Sequence, residues 1–411
     1  MKRRSLDSLT SLTAILHLGS DRGPGAEQQA RLAQAIEEGG IDWEALMRFA
    51  QQHLLAPALW SALLSKKLTS PVPDAMRVFL ARRLGHAGHA GGRHYLLALE
   101  EDHHANIARN ADIRRQAMGV ISILNAVGIE PAALKGTRVI LAGESPFAGA
   151  RMLRDIDLVV PGDGWDRAQT ALGDAGYRRV GEAAHAVGFT HPAGAVELDL
   201  HRRPLSLHQP LPLPDYLTEE GFWGRTERLD LAGAGCRQLP RAENLVHLIL
   251  HTEIADLNFA AGDWALRYLY ETAVITRAEN NGLDWGVLER LAVGDLHKAM
   301  KAHLYAARRL FGAMLPAGFA EDWAQRRHYL RCRANARHPR SIRRIAILVY
   351  KLRQAMAPWY LANKGFYQPA RGDGLGAARL RAIGTLLRNH LRHLPRLLLG
   401  GGDSGIPPPR V

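Results

Sequence analysis

Cysteine is scarce in this 411-residue sequence, and long apolar runs are missing. The two cysteines, Cys236 and Cys332, lie far apart and match no metal-ligand or redox spacing, so the chain fits a reducing compartment and does not depend on a disulfide framework. No apolar run reaches the length of about 18 residues that a transmembrane helix needs. Polar residues interrupt the apolar part of the basic N-terminus, which argues against a signal peptide. We therefore expect a cytoplasmic protein, either free or peripheral to the inner face of a membrane.

Acidic residues are almost missing from the last fifth of the chain. Residues 326–411 hold 18 Lys and Arg but two acids, Asp373 and Asp403, whereas the rest of the chain is close to neutral. This asymmetry predicts an anionic partner for the tail. Three interpretations stay open: a nucleic acid, an anionic membrane surface contacted by mixed segments such as IRRIAILVYKL, or a solvated arginine-rich face. The tail has no recognised nucleic-acid motif, which favours the last two.

The remaining composition is that of a globular protein, because 47% of the residues are hydrophobic and 23% are charged. Hydrophobic periodicity predicts a helical N-terminal region over residues 1–128, a core of strands and helices over 129–210, and a helical domain over 211–325. The basic tail over 326–411 is predicted to be helical with a disordered C-terminal end. The expected fold class is α+β and mostly helical, with a small mixed sheet flanked by helical regions.

Breaker and turn residues predict several local elements. In the N-terminal region, Pro57 breaks or bends the helical pattern of IDWEALMRFAQQHLLAPALWSALLS, and VPDAMRVFLARRL begins another helix. In the core, DGWDRAQTALGDAG predicts a helix that ends at Gly176. The segments YRRVG, AVGFTHP and AVELDLH predict strands, and the last two fit a hairpin around residues 192–194.

The strand predicted in RDIDLVV begins with two acids on one face. Because alternate side chains of a strand share a face, Asp155 and Asp157 point the same way, roughly 6–7 Å apart. Ile156 and Leu158 point the other way, into a core. Two carboxylates directed at one place repel each other unless a cation lies between them. A hard divalent ion with oxygen ligands meets this requirement.

A second acidic strand is predicted in AVELDLH, where Glu197, Asp199 and His201 share one face. If this strand pairs beside RDIDLVV, Asp199 becomes the third carboxylate of one cluster. Three carboxylates can hold two Mg²⁺ ions roughly 4 Å apart, an arrangement used for in-line phosphoryl or nucleotidyl transfer. His201 either orients Asp199, contacts a nucleotide, or is a structural histidine bonded to the backbone, and the sequence leaves these alternatives open.

Small and basic residues accompany the acids. The segment LKGT places Gly136 and Thr137 at a strand-to-helix turn, where glycine lets the backbone approach a phosphate and the N–H groups of the new helix point at it. Lys135 adds a cation within reach of the same region. Arg154 is either a contact to a triphosphate or to the carboxylates, or a solvated loop charge.

These motifs occur in a recognisable order. A turn with glycine and a small hydroxyl residue, a D-x-D strand and a third acidic strand together resemble the pattern of the DNA polymerase beta-type nucleotidyltransferase superfamily. More narrowly, ALKG, RMLRDIDLVV, LGDAGY and VELDLHRRP resemble a bacterial family of uncharacterised nucleotidyltransferases. The resemblance covers roughly residues 30–310 and is best over 130–205.

The resemblance implies roles for individual residues. Asp155 and Asp157 would bind metal, and Asp199 would be a third metal ligand or the base for an acceptor hydroxyl. Gly136 and Thr137 would hold a triphosphate. The superfamily usually has Gly-Ser at this turn, so in the Lys-Gly-Thr of this chain Lys135 would replace part of the glycine loop.

The implied activity is Mg²⁺-dependent transfer of an NMP from an NTP to an acceptor hydroxyl, with release of pyrophosphate. Members of the superfamily use antibiotics, glycans, peptides and proteins as acceptors, and the sequence does not select among these classes. The alternative is a catalytically inactive nucleotide-binding or adaptor protein with a basic tail that binds a membrane or another polyanion.

The helical region after the core offers further candidates. His247 and His251 are four residues apart and share a helix face, but no HExxH pattern accompanies them, so a packing or pocket role is favoured over zinc binding. Trp264, Arg267 and Tyr268 either line an acceptor pocket or belong to the core.

Overall fold

The computed structural model describes residues 7–18, 32, 34, 41–66, 93–143, 147–182, 185–205, 218–231, 233–277, 283–291, 295–336, 341–354, 356 and 374–391. The helix predicted in VPDAMRVFLARRL and the disordered C-terminal end both lie outside these residues. None of the helices in the described ranges is both long enough and apolar enough to span a bilayer.

The chain divides into two compact units. The first comprises Met1–Leu207, Pro212–Asp256 and Ala265–Tyr329, and the second comprises His208–Leu211, Leu257–Trp264 and Leu330–Val411. The helices, numbered in chain order, are α1 Ser8–Leu16, α2 Trp43–Gln52, α3 Ala56–Ser65, α4 Arg93–Ala126, α5 Lys135–Ala142, α6 Phe147–Ala150, α7 Trp165–Asp174, α8 Glu219–Arg225, α9 Arg241–Leu250, α10 Asn258–Ala261, α11 Leu266–Arg277, α12 Trp285–Leu291, α13 Asp295–Phe311, α14 Trp323–Asn335, α15 Ser341–Gln354 and α16 Leu375–Leu391.

One mixed sheet lies in the first unit. Its strands are β1 Ala132–Ala133, β2 Asp155–Val159, β3 Arg178–Glu182, β4 Ala186–Thr190, β5 Glu197–His201, β6 Glu227–Leu229 and β7 Cys236–Gln238. Their order across the sheet is β3-β4-β5-β2-β1-β7-β6, with β2–β5 and β1–β7 parallel and the other pairs antiparallel. The α+β, mostly helical fold class is therefore confirmed.

Two strands of this sheet, β6 and β7, come from a region in which the sequence predicted helices. Each has three residues, too few to show an alternating pattern, and their place is set by pairing with each other and with β1. The sheet therefore extends past residue 210, where the predicted core ended.

Local signals explain most of the other boundaries. The Asp42 carboxylate accepts a hydrogen bond from the Ala45 N–H and caps α2, and Pro57 lies in the first turn of α3, so the predicted break falls between two helices. Helix α7 ends as predicted, with Gly176 in the left-handed region at φ 88°. The predicted hairpin is also confirmed, because β4 and β5 pair antiparallel.

A large apolar cluster of the first unit lies on one face of the central strands. Ile156 and Leu158 of β2 and Leu198 and Leu200 of β5 are fully buried in one cluster with apolar side chains of α4 and α7. This packing leaves the opposite face of the same two strands for the acids, since successive side chains alternate.

Candidate active site

The two acidic strands are direct neighbours. Strands β2 and β5 pair in parallel, so that Asp155 lies opposite Glu197 and Asp157 lies opposite Asp199. The predicted pairing is therefore confirmed. Because paired strands lie about 4.8 Å apart, this register brings the carboxylates of two sequence-distant segments together on one face.

Asp157 is at the centre of the contacts. Its side chain is 3% exposed, and its Oδ1 accepts hydrogen bonds from Lys135 Nζ at 2.8 Å and from His201 Nε2 at 3.0 Å. Its backbone N–H donates to the Thr137 hydroxyl at 2.8 Å. Because an ionised carboxylate accepts only, the Nε2 of His201 carries a proton here. His201 thus orients Asp157, a role that was not among the three that the sequence left open for it.

The backbone explains how Lys135 reaches this carboxylate. The Leu134 N–H donates to the Asp157 carbonyl at 3.2 Å, which fixes the end of β1 against β2. Lys135 follows in the left-handed region, at φ 47°, and begins α5. A non-glycine residue is unfavourable in this conformation, so the surrounding contacts must hold it there. The ion pair with Asp157 is one such contact.

Gly136 leaves room for a buried arginine. A Cβ at position 136 would lie 1.7 Å from Arg151 Nη1, so any larger residue would displace the guanidinium. Arg151 Nε and Nη2 both donate to one carboxylate oxygen of Glu271, at 3.1 and 2.9 Å, and the two side chains are 4% and 1% exposed. Gly136 and Thr137 thus have structural tasks, and their contact with a triphosphate stays a prediction.

The cluster around Asp157 contains more carboxylates than cations. Burial and the charge of Asp157 raise the pKa of Asp155 to about 6, and the same two causes raise the pKa of Asp199. Burial also opposes the ionisation of Asp157, but Lys135 and His201 hold its pKa well below the usual range. Burial would lower the pKa of Lys135, but the interactions with Asp157, Tyr268 and Asp155 together outweigh it and raise that pKa. The site therefore carries excess negative charge that a further cation would relieve.

The donor atoms suit a divalent cation. One ligand atom each of Asp157, Asp199 and His201 lies within 4.8 Å of the others, which makes these residues a cluster that could hold a metal ion. Two carboxylates are the ligands that a hard cation such as Mg²⁺ prefers. Asp155, expected as a ligand, lies on the same face but outside this closest cluster.

Helix α11 adds a cation and a phenol beside the acids. Arg267 Nη1 donates to the Met152 carbonyl at 3.3 Å, and its guanidinium lies 4.4 Å from the centroid of the Tyr268 ring. The Arg267 charge acts to lower the pKa of Asp155, against the larger raising effects of burial and of Asp157. These contacts favour a pocket role for Arg267 and Tyr268 over a core role, while Trp264 belongs to the second compact unit.

Residues 39–312 match the sequence profile of a family described as uncharacterised nucleotidyltransferases. The chain belongs to this family. The match covers more than half of the chain and includes every residue of the acidic cluster. Comparisons with curated proteins and with solved structures gave no match.

Two other candidate residues in the matched range 39–312 lie outside the acidic cluster. Arg154 is exposed and makes no hydrogen bond or ion pair with a described residue, so its phosphate contact stays a prediction. His247 is fully buried, and its Nε2 contacts the Pro204 carbonyl at 2.8 Å. Burial lowers the pKa of His247 to about 4, which favours the packing role.

Sequence reasoning missed one residue that supports the site. Glu271 is an acid within the apolar stretch YLYETAVI, and such an isolated buried charge was the available signal. Its partner Arg151 is 120 residues away, and only the folded chain identifies the pair.

Proposed function

We propose that the protein is a Mg²⁺-dependent nucleotidyltransferase of the DNA polymerase beta type, which moves an NMP from an NTP to an acceptor hydroxyl. The observation that carries this proposal is the parallel register of β2 and β5, which sets Asp157 against Asp199 in a cluster with excess negative charge. The family match supports the reaction class.

The carboxylates have separate tasks in this reaction. Asp155, Asp157 and Asp199 hold the divalent ions, with Asp157 kept in position by Lys135 and His201. When bound, Mg²⁺ neutralises the phosphates and favours the ionised form of the attacking hydroxyl. Asp199 is half-buried, and we assign to it the acceptance of the hydroxyl proton.

The reaction is an in-line displacement. The acceptor oxygen forms a bond to the α-phosphorus of the NTP, and the bond from that phosphorus to the oxygen bridging the β-phosphate breaks. The hydroxyl proton passes to Asp199, and pyrophosphate leaves with the bridging oxygen. The products are the nucleotidylated acceptor and pyrophosphate.

Two cations are in place for the anionic donor. Lys135 Nζ donates to Asp157, and Arg267 donates to the Met152 carbonyl, three residues before Asp155, and to the Tyr268 hydroxyl. Both can contact a triphosphate beside the metal cluster. The Gly136–Thr137 turn supplies backbone close to the same place, and Arg154 is a further cation at the start of β2.

A nucleotide-binding protein without turnover is the second candidate. The observation in its favour is that Asp157 Oδ1 has two partners within the protein, Lys135 and His201, so a metal ligand role requires the carboxylate to serve them together. In this candidate the same pocket binds NTP but no acceptor reacts.

Titration calorimetry with each NTP, with and without Mg²⁺, followed by a pyrophosphate-release assay with hydroxyl acceptors of several classes, separates the two. Nucleotidyl transfer predicts Mg²⁺-dependent binding and pyrophosphate release, both lost in the Asp155→Asn/Asp157→Asn double variant. Tight binding without release for any acceptor favours the binding protein. Release that survives in the double variant contradicts the proposed mechanism.

A further inference from the structure

Helix α16 in the second unit exposes two of its leucines and buries two of its alanines. Ala378 and Ala382 are fully buried, whereas Leu380 is 72% exposed and Leu387 is 36% exposed. Leu380 and Leu387 are seven residues apart and therefore share one face of the helix. A helix adapted to water alone has the reverse arrangement, with leucine inward and alanine outward.

Helix α15 has the same property. Ile345 is 60% exposed and Val349 is 44% exposed, and their spacing of four residues places them on one face. Exposed side chains of this size on single helices are ordinary when scattered, but here they recur at helical spacing on both long helices of the second unit.

The charge around these side chains has one sign. The described tail segments 330–336, 341–354, 356 and 374–391 contain nine Lys and Arg and no Asp or Glu. Arg381 and Arg388 are exposed next to Leu380 and Leu387, so cations flank the apolar stripe of α16. Helices with an apolar stripe and cationic flanks are typical of peripheral binding to anionic bilayers.

We propose that α15 and α16 bind the surface of a bilayer that contains anionic lipids, inserting Ile345, Val349, Leu380 and Leu387 between the headgroups. A nucleic acid would use the cations but gives no reason to expose four aliphatic side chains. A second copy of the same surface would bring two strongly cationic faces together. An anionic bilayer satisfies both the charge and the apolar side chains, and this proposal is independent of the proposed transfer reaction.

Sedimentation of the full chain with phosphatidylcholine vesicles, with and without phosphatidylglycerol, tests this interface. The variant Val349→Ser/Leu380→Ser is compared with Val180→Ser/Leu64→Ser, which replaces the same residue types at positions 43% and 49% exposed in the first unit. Because all four side chains are exposed, circular dichroism should show unchanged folding. We expect binding to the anionic vesicles alone, at least about tenfold weaker in the tail variant and unchanged in the matched control.

Raising salt from about 0.1 M to about 1 M shortens the Debye length from about 10 Å to about 3 Å and should weaken binding of the wild type without removing it. Absence of binding to anionic vesicles overturns the proposal. So does a tail variant that binds like the wild type, or a control that loses as much affinity. The surface would be assigned to nucleic acids if two results came together: duplex DNA displaces the wild type and the tail variant from the anionic vesicles equally well, and the tail variant binds those vesicles like the wild type.

Discussion

Two buried charged clusters in the first unit differ in their balance of positive and negative charge. Around Arg151, charge is balanced one to one, since its guanidinium pairs with Glu271 and its carbonyl accepts amide hydrogen bonds from Asn106 and Asn110. Around Asp157, three carboxylates interact with two cations, Lys135 and Arg267. The balanced pair has its counter-charge within the chain, whereas the second cluster has surplus carboxylate charge that a bound cation could neutralise. This difference separates a structural cluster from a candidate catalytic one.

The largest effect should come from Asp157. We expect Asp157→Asn to lower nucleotidyl transfer by about 10³-fold or more, because it removes a metal ligand, and to lower the free energy of unfolding by about 1–3 kcal/mol, because Lys135 loses its partner. Steady-state pyrophosphate release and urea unfolding measure the two effects. Adding Lys135→Met should restore stability but not activity.

The exposed Asp163 provides the control, since Asp163→Asn makes the same chemical change outside the cluster. Nucleotidyl transfer retained in Asp157→Asn would contradict the assignment of the acidic cluster as catalytic. Recovery of transfer in Asp157→Asn/Lys135→Met would contradict it as well.

The acidic cluster could be predicted from the sequence because its information is local. Alternation in β2 and β5 separates Asp155, Asp157 and Asp199 from the apolar positions, and the family order of motifs implies that the strands meet. The Arg151–Glu271 pair could not be predicted, since nothing in either segment identifies a partner 120 residues away. The left-handed backbone conformation of Lys135 could not be predicted from the sequence either, because contacts with β2 impose it.

Breaking the balanced cluster should affect stability first. We expect Glu271→Gln to lower the free energy of unfolding by about 3 kcal/mol, because Arg151 is left buried with an uncompensated charge. Transfer should fall less than in Asp157→Asn, since Arg151 pairs with Glu271 and packs against the Gly136 turn without bonding to a carboxylate of the acidic cluster. Urea unfolding of Glu271→Gln is compared with Glu289→Gln, an exposed acid. Equal stability of the two variants would show that the buried pair is not needed.

Divalent cations should distinguish the clusters directly. At about 100 times its dissociation constant, Mg²⁺ should raise the free energy of unfolding of the wild type by about 2–3 kcal/mol through preferential binding to the folded state. The same increase is expected in Glu271→Gln but not in Asp199→Asn, which lacks a carboxylate of the site. Thermal and urea unfolding with Mg²⁺ or EDTA provide the measurement. A Mg²⁺ effect that persists in Asp199→Asn would place the ion elsewhere.

The smallest effect concerns how far the excess negative charge extends. The charge of Asp157 acts to raise the pKa of His247, but burial and the charge of Lys135 outweigh it, and that pKa falls to about 4. A folded-state pKa below the unfolded value of about 6.5 means that His247 contributes stability above pH 6.5, which is lost as the pH falls toward 4. Between pH 7.5 and 5.5 the loss should be about 1 kcal/mol.

His247→Gln should flatten this part of the pH profile, because glutamine keeps a donor for the Pro204 carbonyl and does not titrate. The control is His104→Gln, whose ring is exposed. The difference in unfolding free energy between the wild type and each variant, followed from pH 7.5 to 5.5 in EDTA, isolates the contribution of one histidine. If acidification instead stabilises the wild type relative to His247→Gln, the negative potential of the acidic cluster outweighs burial at His247. The electrostatic influence of the cluster then extends to helix α9, beyond the residues that it contacts.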